Sequence, residues 1–141
     1  MRVTLDTNIL VSGLLWPGPS NTIFRLAECK LITLCVNGHI LNELQDVLHR
    51  SKFKKRLEAI DETPRSVLSA LTDLCEIFAT TPGPPAVKKD PTDNNVIACA
   101  IASNSRFIIS GDHHLLDLKA YNAIPILTPS EFLKRFSPTN A

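Results

Sequence analysis

No apolar run in the sequence reaches the ~20 residues needed to cross a bilayer, so a membrane-spanning role is not expected. The N-terminus lacks the basic stretch and long apolar core of a secretory signal. Neither glycine-rich phosphate cradle, G-x-x-x-x-G-K-[ST] or G-x-G-x-x-G, is present, which argues against nucleotide binding by those routes. Charge of one sign is also missing. The formal net charge is +1, so no global field attracts a polyanion, and any nucleic-acid contact must come from a local patch or a metal. The four cysteines, Cys29, Cys35, Cys75 and Cys99, form no C-x-x-C pair. Each lies in an apolar run, which reads as buried, reduced thiols rather than a disulfide frame or a zinc site. A cytoplasmic location is the expectation.

What is present is an ordinary globular composition, 44% apolar and 21% charged, in 141 residues, a length that suits one domain. The chain opens on a short alternating strand, Arg2-Val3-Thr4-Leu5, that ends in Asp6. Leu10 to Pro19, closing in Trp-Pro-Gly-Pro, reads as a loop. Ser20 is the expected cap of a first helix, and Leu31 to Val36 a second strand ended by Asn37-Gly38. His39 to Arg50 shows helical spacing, with Ile40, Leu41, Leu44, Val47 and Leu48 inward and Glu43 on the flank of that stripe. Ser51 to Ile60 continues as a basic amphipathic helix, and Thr63-Pro64 starts another. Glu76 to Thr80 reads as a third strand, and Thr81 to Pro91, with four of the ten prolines, as a loop. Thr92 caps a helix from Asp93 to Ser103, followed by a fourth strand over Arg106 to Ser110 and a short helix opened by Asp112. Pro125 to Leu127 is a fifth strand, and Thr128-Pro129-Ser130-Glu131 a capping box. This alternation predicts a three-layer α/β/α domain with a five-stranded, mainly parallel sheet over residues 1–136, and a frayed tail at 137–141. No repeat, low-complexity tract or second domain is visible.

Asp6 follows the first strand, Glu43 lies on the helix after the second, Asp93 begins the helix after the third, and Asp112 the helix after the fourth. In an open parallel sheet, ligands bind beyond the carboxyl ends of the strands. Singly, each acid has an ordinary explanation: Asp6 as a turn cap, Asp93 and Asp112 as complements of helix dipoles, Glu43 as a boundary residue. Together, ionised carboxylates at one edge require a cation. Oxygen-only ligands point to Mg²⁺ or Mn²⁺ rather than zinc. Asp90, just ahead of Asp93, is placed to join them.

The set Leu5-Asp6-Thr7-Asn8, Glu43, Asp90-Pro91-Thr92-Asp93-Asn94 and Ser110-Gly111-Asp112 resembles a PIN-domain nuclease, over about Arg2 to Phe136. It is most similar to the small single-domain branch that supplies toxins of VapC-type toxin–antitoxin modules. That resemblance implies a Mg²⁺- or Mn²⁺-dependent endoribonuclease acting on single-stranded or structured RNA. Asp6, Glu43, Asp93 and Asp112 match the family's acidic quartet, Asn8 a polar residue beside the first acid, and Ser110 a hydroxyl beside the fourth. It also implies a homodimer and a cognate antitoxin protein. One position departs: many relatives read Gly-Asp-x-Asp-Leu, whereas Gly111-Asp112-His113-His114-Leu115 puts His114 where a further acid would stand. An imidazole there either reaches a metal or its water, or is a surface residue at a helix start.

The run Lys52, Lys54, Lys55, Arg56 reads first as a solvated helix face and second as a phosphate contact, and Lys88 and Lys89 share the second reading. Trp16, on a Pro/Gly loop, either stacks on a base, packs on a partner or folds back on its own domain. Two rival α/β phosphoryl-transfer classes fit less well. A haloacid-dehalogenase-type enzyme wants a second Asp where Asn8 stands, and a receiver domain wants an acidic pair and a late lysine that cannot both be placed. A catalytically weak PIN-like module that only binds protein or RNA is the alternative, kept open by His114.

Overall fold

The computed structural model describes residues 1–80 and 91–136, with the backbone alone at 91–93. Of the loop expected at Thr81 to Pro91, residues 81–90 lie outside the described residues, as does the tail at 137–141, and Pro91 belongs to a helix. Strands are β1 (Arg2–Leu5), β2 (Thr33–Asn37), β3 (Glu76–Phe78), β4 (Phe107–Ile109), β5 (Ala120–Tyr121) and β6 (Ile124–Leu127). Helices are α1 (Thr7–Leu15), α2 (Pro19–Glu28), α3 (Gly38–Leu48), α4 (Lys54–Ala59), α5 (Pro64–Leu74), α6 (Pro91–Ala102), α7 (His113–Leu116) and α8 (Pro129–Arg135). The sheet order is β3-β2-β1-β4-β6-β5. Every pairing is parallel except β5 with β6. The three-layer α/β/α architecture is as expected, but the sheet has six strands rather than five.

The additional strand is β5. It turns back into β6 through Asn122 and Ala123, both at positive φ (48° and 65°), the geometry of a tight two-residue hairpin turn. Asn-Gly would have advertised such a turn, whereas Asn-Ala does not.

A second correction concerns Leu10 to Pro19, which is not a loop up to the Trp-Pro-Gly-Pro signal. It belongs to α1, which starts one residue after Asp6 and runs to Leu15. Thr7, Ile9, Leu10, Val11, Gly13 and Leu15 are all buried, so this helix is enclosed on most sides and shows no amphipathic stripe to read. It packs closely on α2. A Cβ on Gly13 would stand 2.2 Å from Phe24 Cε2, so only glycine lets the helices approach this far. Asn21 Nδ2 donates to Gly13 O (2.9 Å) and Ser12 Oγ to Ser20 Oγ (2.9 Å) across the same seam. Ser20 is therefore not a cap: Gly18 holds that position and Pro19 opens the helix.

A third correction is the start of α6: it begins at Pro91, so Thr92 is its second residue and not its cap. Thr63 and Thr128 close capping boxes on α5 and α8. In α3, Ile40, Leu44, Val47 and Leu48 are buried and Asn42 and Asp46 exposed. Burying each such aliphatic side chain contributes about 1.5–3 kcal/mol. The basic stretch is not one helix: Ser51–Phe53 is a 3-10 turn ahead of α4. Cys35 and Cys99 are buried, but Cys75 is half-buried and Cys29 is exposed at the end of α2. All four thiols are free. No helix among the described residues is long and apolar enough to cross a membrane.

Candidate active site at the carboxyl edge of the sheet

The parallel register delivers polar residues to one edge. The ladder extends past the strands, with Asp6 N–H donating to Ile109 O (3.1 Å) and Ser110 N–H to Leu127 O (2.9 Å). Asp6 is thus fixed at the end of β1 and Ser110 at the end of β4, on neighbouring strands.

Asp6 is both a strand terminus and the N-cap of α1. Its Oδ1 accepts the Ile9 N–H at 3.0 Å, and its Oδ2 accepts the Ser110 hydroxyl. Only 5% of the residue is exposed. Burial pushes its carboxyl above the usual range, and the nearby Asp112 adds to the rise, against the bonds from Ser110, Ile9 and Gly111. Ser110 is fully buried and serves both acids, since its Oγ also accepts the Asp112 N–H at 3.0 Å. Asp112 caps α7 through the His114 N–H (2.8 Å). The third acid joins through its neighbour: Thr7 Oγ1 donates to Glu43 Oε2 at 2.9 Å.

The structure thus gathers Asp6, Ser110 and Asp112 directly, with Glu43 one hydrogen bond from the residue after Asp6. Asp93 is the third residue of α6, but its side chain lies outside the described residues, as do Asp90, Lys88 and Lys89 entirely. Among the described residues, no three acids, histidines or cysteines form a group that could hold a metal ion. The chemistry of the donors nevertheless fits a hard cation. Burial first and the Asp112 charge second disfavour the ionised Asp6 carboxylate, and a divalent ion held there would favour it.

The remaining candidates divide: Asn8 and His114 stand beside the acids, whereas the basic run does not. Asn8 is exposed in the first turn of α1. His113 is exposed and His114 half-buried, their rings 4.3 Å apart. Lys52, Lys54 and Lys55 are exposed, with Lys52 Nζ 5.0 Å from the Phe53 ring centroid. Arg56 turns to the far end of α1: its Nε donates to Leu15 O (2.5 Å) and its guanidinium lies 5.6 Å over Trp16. That end is separated from Asp6 by the length of a nine-residue helix, roughly 13 Å at 1.5 Å per residue. Trp16 folds back on its own domain, 40% exposed, its ring edge-on to Phe53 and lining a cavity of about 370 Å³ between α1, α2, α4 and α5.

Sequence reasoning missed Thr7 and Asn37. Thr7 was hidden because α1 was hidden. Asn37 read only as a turn, yet it is fully buried at the end of β2 and caps α3 through the Ile40 N–H (2.9 Å).

Asp6 and Asp112 thus stand together beyond the carboxyl edge of a parallel sheet, where open α/β folds place their ligand sites. The chain belongs to the PIN-domain family, whose sequence pattern matches residues 2–114. A solved structure shares the fold: a chain in the crystal structure of VapBC2 from Rickettsia felis bound to a DNA fragment from their promoter superposes with a TM-score of 0.61 at 20% identity, covering 89% of this chain and 97% of that one. No curated protein sequence matches this chain.

Proposed function

We propose that the chain is a Mg²⁺- or Mn²⁺-dependent endoribonuclease and the toxin of a toxin–antitoxin pair. The observation that carries the reading is Asp6, buried between two hydrogen-bond donors beside Asp112. Asp6 and Asp112 would hold the ion, with Glu43 and Asp93 completing the oxygen set. When bound, such an ion polarises water and neutralises charge developing on a phosphodiester. The chain's own part is orientation. Ser110 keeps both acids in register, the N-terminus of α1 fixes the Asp6 carboxylate, and Thr7 holds the Glu43 carboxylate by a hydrogen bond. Membership of a family whose members are generally nucleases supports the hydrolase reading. The likeness in fold to a chain of a VapBC2 structure supports a toxin that meets an antitoxin, and the resemblance to VapC-type toxins adds a homodimer to the proposal.

The test is cleavage of defined single-stranded RNA and DNA by purified protein across a Mn²⁺ titration. RNA should be cut only with metal, and Asp112→Asn should lose at least a hundredfold in rate, on the order of removing a key electrostatic contributor. Cleavage that survives EDTA, or that Asp112→Asn leaves intact, overturns the proposal. Equal cleavage of DNA overturns its RNA component.

A further inference from the structure

We propose that Asn37 is a positioning residue that ties the helix carrying Glu43 to the helix carrying Asp93, and so sets the separation of the acids. This rests on the nuclease reading above. Asn37 ends β2 and is wholly buried. A side-chain amide offers one acceptor oxygen and two N–H donors, and all are engaged here. Oδ1 accepts from Ile40 N–H at 2.9 Å, while Nδ2 donates to Asn95 O and to Thr80 Oγ1, each at 3.0 Å. The three partners belong to three different segments. Ile40 is in the first turn of α3, ahead of Glu43, and Asn95 lies two residues past Asp93 in α6. Thr80 follows β3, at the threshold of the segment that leads to Asp90.

Capping alone does not account for this residue. Asp or Ser caps a helix as well as Asn does. Asp brings no donor and Ser only one, so neither can cap α3 and also bond to two groups on other segments. The bond to Asn95 is the informative one, because it comes from outside α6 and reaches a carbonyl in its early part. It fixes where the first turns of α6 stand relative to β2 and α3. Removing groups that orient metal-binding side chains typically weakens the metal about 10–100-fold.

The experiment measures Mn²⁺ affinity by calorimetry on wild type, Asn37→Asp and Thr63→Ala, with amide hydrogen exchange of α6 in the metal-free proteins. Asn37→Asp keeps the capping oxygen and removes both donors. Thr63→Ala destabilises α5 by losing its cap, away from the acids, and controls for general loosening. Asn37→Asp should bind Mn²⁺ about tenfold more weakly and exchange faster in the early turns of α6. Thr63→Ala should match wild type in both. Wild-type affinity in a folded Asn37→Asp overturns the positioning role and leaves the nuclease reading standing. A wild type that binds no Mn²⁺ overturns both. Should Asn37→Asp fail to fold, Asn37→Ser, which stays neutral and keeps the cap, is judged by the same affinity.

Discussion

Asp6→Asn should make the metal-free protein more stable at neutral pH while abolishing its response to Mn²⁺. Burial outweighs the hydrogen bonds to Asp6, so the folded chain favours its protonated form. Between the unfolded carboxylate value, about pH 4, and the higher folded value, the native state holds a proton that the unfolded chain has released. The stability contributed by this group is therefore full below about pH 4 and falls as pH rises through the folded value. Asn has the same shape, keeps an oxygen for the Ile9 N–H and carries no charge. Replacing a poorly compensated buried charge by a neutral group of similar volume is worth on the order of 2 kcal/mol. For a chain of this size that is roughly 6–8 °C in Tm. Mn²⁺ at a hundred times its Kd would stabilise wild type by about 2.7 kcal/mol and should leave the variant unmoved. Melting curves at pH 7.5, with EDTA and then with Mn²⁺, should exchange their order, and at pH 4 the EDTA difference should shrink to near zero. A less stable Asp6→Asn in EDTA at pH 7.5, or an equal Mn²⁺ shift in both proteins, refutes the reasoning.

Ser110→Ala removes the hydroxyl that serves both acids and should weaken Mn²⁺ binding roughly tenfold, read by calorimetry. It should also move the pH midpoint of binding upwards, because a bond that holds the Asp6 proton affinity down is lost. Gly13→Ala must push Phe24 aside, at a cost of about 1–3 kcal/mol in denaturant melts, with Mn²⁺ affinity preserved. A thiol-alkylating reagent at pH 8 should label exposed Cys29 first in the native protein. Cys75 and Cys99, pushed up to about 12 by burial, should react only on unfolding, which peptide mass spectrometry would resolve. Early modification of Cys99 would contradict its packing.

How far the sequence carried the argument depended on whether a residue's signal was local. The Thr63-Pro64 cap and the Thr128 capping box announce themselves within four residues, and the inward stripe of α3 follows from helical spacing. Asp6 drew notice because it ends a strand-like run, Asp112 because it opens the helix after one, and Glu43 because it flanks an apolar stripe. Helix α1 was illegible for the opposite reason: a helix surrounded by protein keeps no polar face, so its pattern resembles an apolar run cut short by Pro17. Cys29 was misjudged since an apolar neighbourhood in sequence says nothing of a helix end facing outwards. Asn37 defeated sequence reasoning because its partners Thr80 and Asn95 lie far along the chain, and only folding brings them to it.

The outer strands of the sheet carry a consequence for assembly. On one margin stands β3, three residues long, its Glu76 carboxylate engaged by Arg2 at 3.1 Å; on the other, a two-residue ribbon runs against the prevailing direction. Margins so brief offer few unpaired main-chain groups for another chain to zip onto. Copies of this protein would therefore meet through helical surfaces, and its concentrated solutions should resist fibril growth by strand addition.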